Sequence, residues 1–208
     1  MYGVAAARRL VAAAIEGIAP TRCAGCGEAG SPLCEDCVGA IEATPAPLLG
    51  GARAAFEYAD EVRTVLHHGK FRDCRRALRA LSWLGAARLE PPGSGGVVVP
   101  IPLGRRRATE RGYNQAGVVA AALADFHRLP LAPLLERSRD TEPQSLLDRA
   151  ARQANVDGAF TASPASAGTT VWLIDDVLTT GATCRAARRV LLAAGAARVD
   201  IAVLAAVL

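Results

Sequence analysis

The 208-residue sequence predicts an α/β protein: a parallel, doubly wound sheet carrying a small cysteine-bearing appendage near its N-terminus. Three observations carry that expectation. Short apolar runs without period-two alternation, Val97–Ile101 and Val171–Ile174, read as strands buried on both faces, as in a parallel sheet. They alternate with segments of helical periodicity, the pattern of βαβ units. Finally, Cys23, Cys26, Cys34 and Cys37 crowd into one compact, turn-rich segment.

Taken in order, residues 1–20 read as a short helix and residues 21–43 as the cysteine knuckle, followed by a proline-rich connector over 44–51. A strand is expected from Ala52 to Tyr58. From Val62 to Leu89 the apolar residues Phe71, Cys74, Leu78, Leu81 and Leu84 recur at helical spacing, and Gly69 divides the stretch in two. Residues 52–90 thus form a helical connecting region, and 91–208 the core domain. There a strand at Val97–Ile101 leads into an arginine-dense loop. A helix over Asn114–Phe126 and a short strand within Leu129–Leu135 come next. The strand Val171–Ile174 precedes a helix from about Cys184 to Ala194, with Gly195 as its cap. Val199–Val207 closes the sheet. In such sheets ligands sit at the C-terminal strand ends.

Composition bounds the function. The hydrophobic fraction is 51% with only 4% aromatics, and no apolar run reaches the ~18–20 residues a membrane-spanning helix needs. Arg8 and Arg9 ahead of Leu10–Ile15 imitate an export signal, but Glu16 interrupts the run, so a cytoplasmic protein without membrane insertion is expected. Net charge is +4, unevenly spread. Residues 62–89 carry seven basic side chains against Asp73, and residues 104–111 carry Arg105, Arg106, Arg107 and Arg111 against Glu110. A local positive field suits a polyanion: pyrophosphate, a sugar phosphate or nucleic acid.

The most telling segment is Asp175-Asp176-Val177-Leu178-Thr179-Thr180-Gly181-Ala182-Thr183. Two carboxylates at a strand end can accept hydrogen bonds from vicinal sugar hydroxyls, or hold Mg²⁺ through its waters. The glycine and threonines lead into a helix N-terminus, whose free N–H groups form an anion site. The plainer alternative is a strand-turn-helix in which Asp and Thr merely cap the helix.

These residues resemble the phosphoribosyl pyrophosphate (PRPP) signature of type I phosphoribosyltransferases. The resemblance implies that fold, with Asp175 and Asp176 on the ribose hydroxyls and the loop Thr179–Thr183 on the 5′-phosphate. The full stretch Asp175, Asp176, Val177, Leu178, Thr179, Thr180, Gly181, Ala182 and Thr183 is the expected PRPP site, with Mg²⁺ accompanying the ligand. Arg105, Arg106, Arg107 and Arg111 are the expected pyrophosphate contacts.

Cys23-x-x-Cys26 and Cys34-x-x-Cys37 have the spacing of one tetrahedral structural Zn²⁺ site; two disulfides or two redox pairs are the alternatives. Arg111-Gly112-Tyr113-Asn114-Gln115 and Thr141-x-x-Gln144 through Arg152-x-x-Asn155-Val156-x-Gly158-x-Phe160 are similar to the ComF family of competence-associated proteins. There a cysteine knuckle precedes a phosphoribosyltransferase domain. Lys70, the only lysine in the chain, falls where relatives carry a Lys-(Phe/Tyr) pair. With Arg139, Asp175 and Asp176 it is a candidate catalytic residue, while His67 and His68 read as helix-face residues. Residues 137–155 are expected to act as a lid. The family implies transfer of phosphoribosyl to a nitrogen acceptor with release of pyrophosphate. The alternative is a non-catalytic DNA-uptake adaptor that binds single-stranded DNA and a helicase partner; a homo-oligomer is compatible with either.

Overall fold

The computed structural model describes residues 21–41, 51–68, 75–93, 96–138 and 158–207. Among these, a four-stranded parallel sheet forms the centre, in the order β1-β6-β5-β2. Its strands are β1 (Ala52–Glu57), β2 (Val97–Pro100), β5 (Thr170–Leu178) and β6 (Arg198–Ala206). A two-stranded antiparallel ribbon, β3 (Leu135–Arg137) with β4 (Phe160–Ala162), lies beside it.

The two central strands show why the sheet is buried on both faces. Along β5, Trp172 and Ile174 enter one apolar cluster while Val171 and Leu173 enter another. Along β6, Ala202 and Leu204 join the first, and Ile201 and Val203 the second. The strand period of two splits a continuous apolar run between two cores, so both faces must be covered. On the first face lie α2 (Asp60–His68), α3 (Arg75–Ala86) and α5 (Gln115–His127). The second face is covered by α6 (Ala182–Ala193) and the β3-β4 ribbon.

The knuckle, residues 21–41 with the short helix α1 (Glu35–Ala40), packs into the first core through Cys23, Leu33, Cys37 and Ile41. It shares that core with Val65 and Leu66 of α2 and Leu78 of α3. No helix of the described residues is long and apolar enough to cross a membrane.

Three sequence expectations shift. The arginine-rich segment after β2 is not a loop but a helix, α4 (Arg105–Arg111). Arg, Ala and Glu are good helix formers, the Arg106–Glu110 pair at 2.9 Å supports it, and Gly112 caps it at φ 72°. Strand β5 runs four residues beyond Ile174, because the parallel pairing with β6 continues through Asp175, Val177 and Leu178. The short strand expected within Leu129–Leu135 starts only at Leu135, although Leu131 bridges Val98. The N-terminal helix over 1–20, Lys70, Cys74, Arg139 and most of the lid segment fall outside the described residues.

Candidate phosphoribosyl site

The acidic pair sits inside β5, so its backbone is fixed by a neighbouring strand rather than by a loop. Asp175 turns toward α6. One carboxylate oxygen accepts the Asp176 N–H at 2.9 Å, and the other accepts the Cys184 thiol at 3.8 Å. Burial, then the adjacent Asp176 charge, pushes the Asp175 carboxyl well above the usual range. The Cys184 thiol is pushed up too, by burial and by Asp175, which keeps it a donor.

Beyond β5 the chain must turn into α6. Gly181 makes the turn with φ 72°, in the left-handed region that glycine enters freely. A Cβ there would lie 2.9 Å from Arg185 Nη1. That guanidinium folds back to donate to the Thr180 carbonyl at 2.8 Å. The N-terminus of α6, a twelve-residue helix, therefore opens at the end of the carboxylate strand.

Facing the pair is a cavity of about 140 Å³, lined by Asp175, Asp176, Val177 and Thr183 on one side and by Arg107, Arg111 and Arg137 among others. The helix α4 explains which arginines arrive. Positions 107 and 111 are four apart and share a face. Arg105 and Arg106 do not line the cavity, and Arg106 instead pairs with Glu110 at the surface, its side chain 78% exposed. Thr179 and Thr180 also lie outside the lining, while Thr183 is within it.

The wall between α4 and α5 is fastened by side chains. Asn114 Nδ2 donates to the Ile101 carbonyl at 2.9 Å, tying the wall to the end of β2. Arg111 Nη1 donates to Gln115 Oε1 at 2.6 Å, and Gln115, only 2% exposed, donates onward to the Leu66 carbonyl of α2 at 3.2 Å. At the end of α2, His68 Nδ1 lies 3.0 Å from the Ala24 carbonyl. A carbonyl only accepts, so Nδ1 carries the proton. The knuckle is thus linked to the cavity arginine through α2. The sequence assigns no site role to Gln115, Arg137 or Arg185; Gln115 closes the Arg-Gly-Tyr-Asn-Gln motif, and a glutamine opening an otherwise apolar helix is its available signal.

In the knuckle, the sulfur atoms of Cys23, Cys26, Cys34 and Cys37 all lie within 4.8 Å of one another. A Cβ at Gly25 would come 2.6 Å from Cys37 Sγ, so the first turn closes this tightly only with glycine. Burial raises the Cys23 thiol, but N–H groups of Cys26, Cys34 and Gly25 outweigh it and bring it down to about 6. Burial pushes Cys37 strongly the other way.

With this geometry in hand, the relatives are informative. The phosphoribosyl transferase domain family matches residues 109–208. Competence protein ComFC of Bacillus subtilis (strain 168) is 32% identical over 168 residues, 79% of this chain and 68% of that protein. The chain belongs to the ComF family. DNA utilization protein YhgH of Escherichia coli (strain K12) is 30% identical over 155 residues, 70% of this chain and 67% of that protein. Among solved structures, glutamine PRPP amidotransferase from B. subtilis, complexed with ADP and GMP, is 20% identical with a TM-score of 0.45. It is matched over 65% of this chain and 30% of its own. In this chain a cysteine cluster precedes a type I phosphoribosyltransferase fold and packs into one of its two apolar cores.

Proposed function

We propose that the strand-end cavity binds PRPP with Mg²⁺ and transfers its phosphoribosyl group to a nitrogen acceptor, releasing pyrophosphate. One observation carries this reading: two adjacent carboxylates, two arginines one helical turn apart and the open N-terminus of α6 converge on a single cavity. Asp175 and Asp176 accept the ribose 2′- and 3′-hydroxyls. The N–H groups of the first α6 turn, with the Thr183 hydroxyl, hold the 5′-phosphate. Arg107, Arg111 and Arg137 face the pyrophosphate, and their charge favours the departing group as the C1–oxygen bond breaks.

The donor set fits a divalent cation. Burial and then like-charge repulsion from Asp176 raise the Asp175 carboxyl, and a cation at the pair relieves the repulsion. Mg²⁺ bound with PRPP supplies neutralisation of the pyrophosphate oxygens. The four cysteines fit structural Zn²⁺, their thiolates filling all positions of a tetrahedral site. Names of relatives, competence and DNA utilization, support DNA handling as the process this site serves.

Calorimetric titration with PRPP and Mg²⁺ tests the binding step. Saturable binding is expected, and Asp175→Ala with Asp176→Ala should weaken it at least ~100-fold, the loss of two charge-assisted hydrogen bonds. Unchanged affinity in that double variant overturns the assignment. Pyrophosphate release from PRPP across a panel of nucleobases tests transfer; no release above the spontaneous rate with any base sinks it.

A further inference from the structure

On the other side of the Arg111–Gln115 wall lies a larger cavity, about 720 Å³, that the phosphoribosyl chemistry does not use. It is a groove between α3 and α5. Arg75 stands over the Tyr113 ring at 5.1 Å, and the Trp83 and Phe126 rings meet at 5.8 Å. The two helices therefore run side by side in the same direction. From Asn114 to Asp125 the groove follows α5 for about 16 Å, at 1.5 Å per residue.

Its ends differ in charge. Arg75 and Arg76 stand near Tyr113, Arg79 follows one turn further along α3, and Asp125 stands at the other end. Between them the floor is Gly117, Val118, Ala121 and Ala122, a strip of small residues that leaves a shallow apolar slot. The arginines also oppose the helix field: α3 opens on two of them with no acidic residue in its first turn. Cations at a helix N-terminus are disfavoured, and an anion in the groove offsets that.

A ligand complementary to this arrangement has a phosphate at one end, a flat apolar ring in the middle and hydrogen-bond donors at the far end. We propose that the groove binds a nucleoside monophosphate whose base carries an exocyclic amino group. The guanidinium groups of Arg76 and Arg79 fork onto the phosphate, the base lies on the Gly117–Ala121 floor, and Asp125 accepts from the amino group. Asp125 also disfavours a second phosphate at its end, which selects a free nucleotide over a continuous strand. The inference does not depend on the PRPP reading, because the two cavities share only Asn114 in their linings.

Titration of the full chain with CMP, UMP, inorganic phosphate and a short single-stranded oligonucleotide tests it. CMP should bind at least ~10-fold more tightly than UMP or phosphate. Arg79→Gln should weaken CMP about 10-fold, and Ala121→Leu, which fills the floor from a half-buried position, should abolish binding without lowering the melting temperature. Asp125→Asn should erase the preference for CMP over UMP. PRPP affinity should be untouched by all three substitutions. The proposal is overturned if CMP does not bind at millimolar concentration, if only the oligonucleotide binds, or if CMP binding is lost in Asp176→Asn and kept in Arg79→Gln.

Discussion

The knuckle and the strand-end cavity both gather anionic or ionisable groups, yet they do so in opposite ways. In the knuckle four sulfur atoms converge on one point, packed against a glycine that admits no larger residue. The donors face each other, the arrangement that one tetrahedral ion would complete. In the cavity, Asp175 and Asp176 stand side by side on a strand and open toward about 140 Å³ of space with arginines across it. Their repulsion is relieved by a proton held on Asp175 or by something entering from outside. Convergence of donors marks a part built for stability, whereas divergence toward a void marks a part built to bind.

If that contrast is right, substitutions in the two regions should separate cleanly. The carboxylate double variant should lose PRPP binding while its melting temperature holds or rises. Cys37→Ser should do the reverse: metal content measured by mass spectrometry falls, and stability drops by about 2 kcal/mol or more, as for loss of a structural metal. Loss of PRPP affinity with no loss of stability in Cys37→Ser would make the knuckle a binding element instead. Gln115→Leu probes the link between the regions. It releases Arg111, so PRPP affinity should fall about 10-fold, the value of roughly one hydrogen bond to a charged group, with the metal retained.

A smaller effect concerns pH. The folded state holds the Asp175 proton more tightly than the unfolded chain does, so ionising it costs stability. That cost is absent below the ordinary carboxylate pKa of about 4 and grows as pH rises through the elevated folded value. Asp175→Asn should therefore melt a few degrees above the parent at neutral pH, and the two curves should meet near about pH 4. A constant gap across that range removes the carboxyl as its cause. Least of all, Arg106→Ala should change stability by under about 0.5 kcal/mol and leave PRPP affinity intact, since the ion pair it breaks is exposed.

Much of this was legible before any coordinates. Val97–Ile101 and Val171–Ile174 read as strands because apolar residues run on without alternation, and the four cysteines announce their cluster by spacing alone. The arginine segment reads as a loop from its position after a strand and its charge, and only the helix that forms there sorts Arg107 and Arg111 from Arg105 and Arg106. Partners distant in sequence stayed hidden for a simple reason. Gln115 meets Leu66 across 49 residues and His68 meets Ala24 across 44, and no local pattern encodes such pairings.

The strand order has a consequence for how the molecule is made. Strand β6 is the last strand described along the chain, yet it lies between β1 and β5. Among the described residues β1 pairs only with β6, so it waits through about 150 residues of synthesis before Ala52 can meet Ile201. The knuckle emerges early, but the apolar surface of α2 and α3 beneath it has only half a sheet to cover until residues 198–206 are released. A nascent chain stalled before that point exposes one unpaired strand and two uncovered cores, the form most open to chaperones and proteases. Sheet completion therefore waits on the synthesis of residues 198–206.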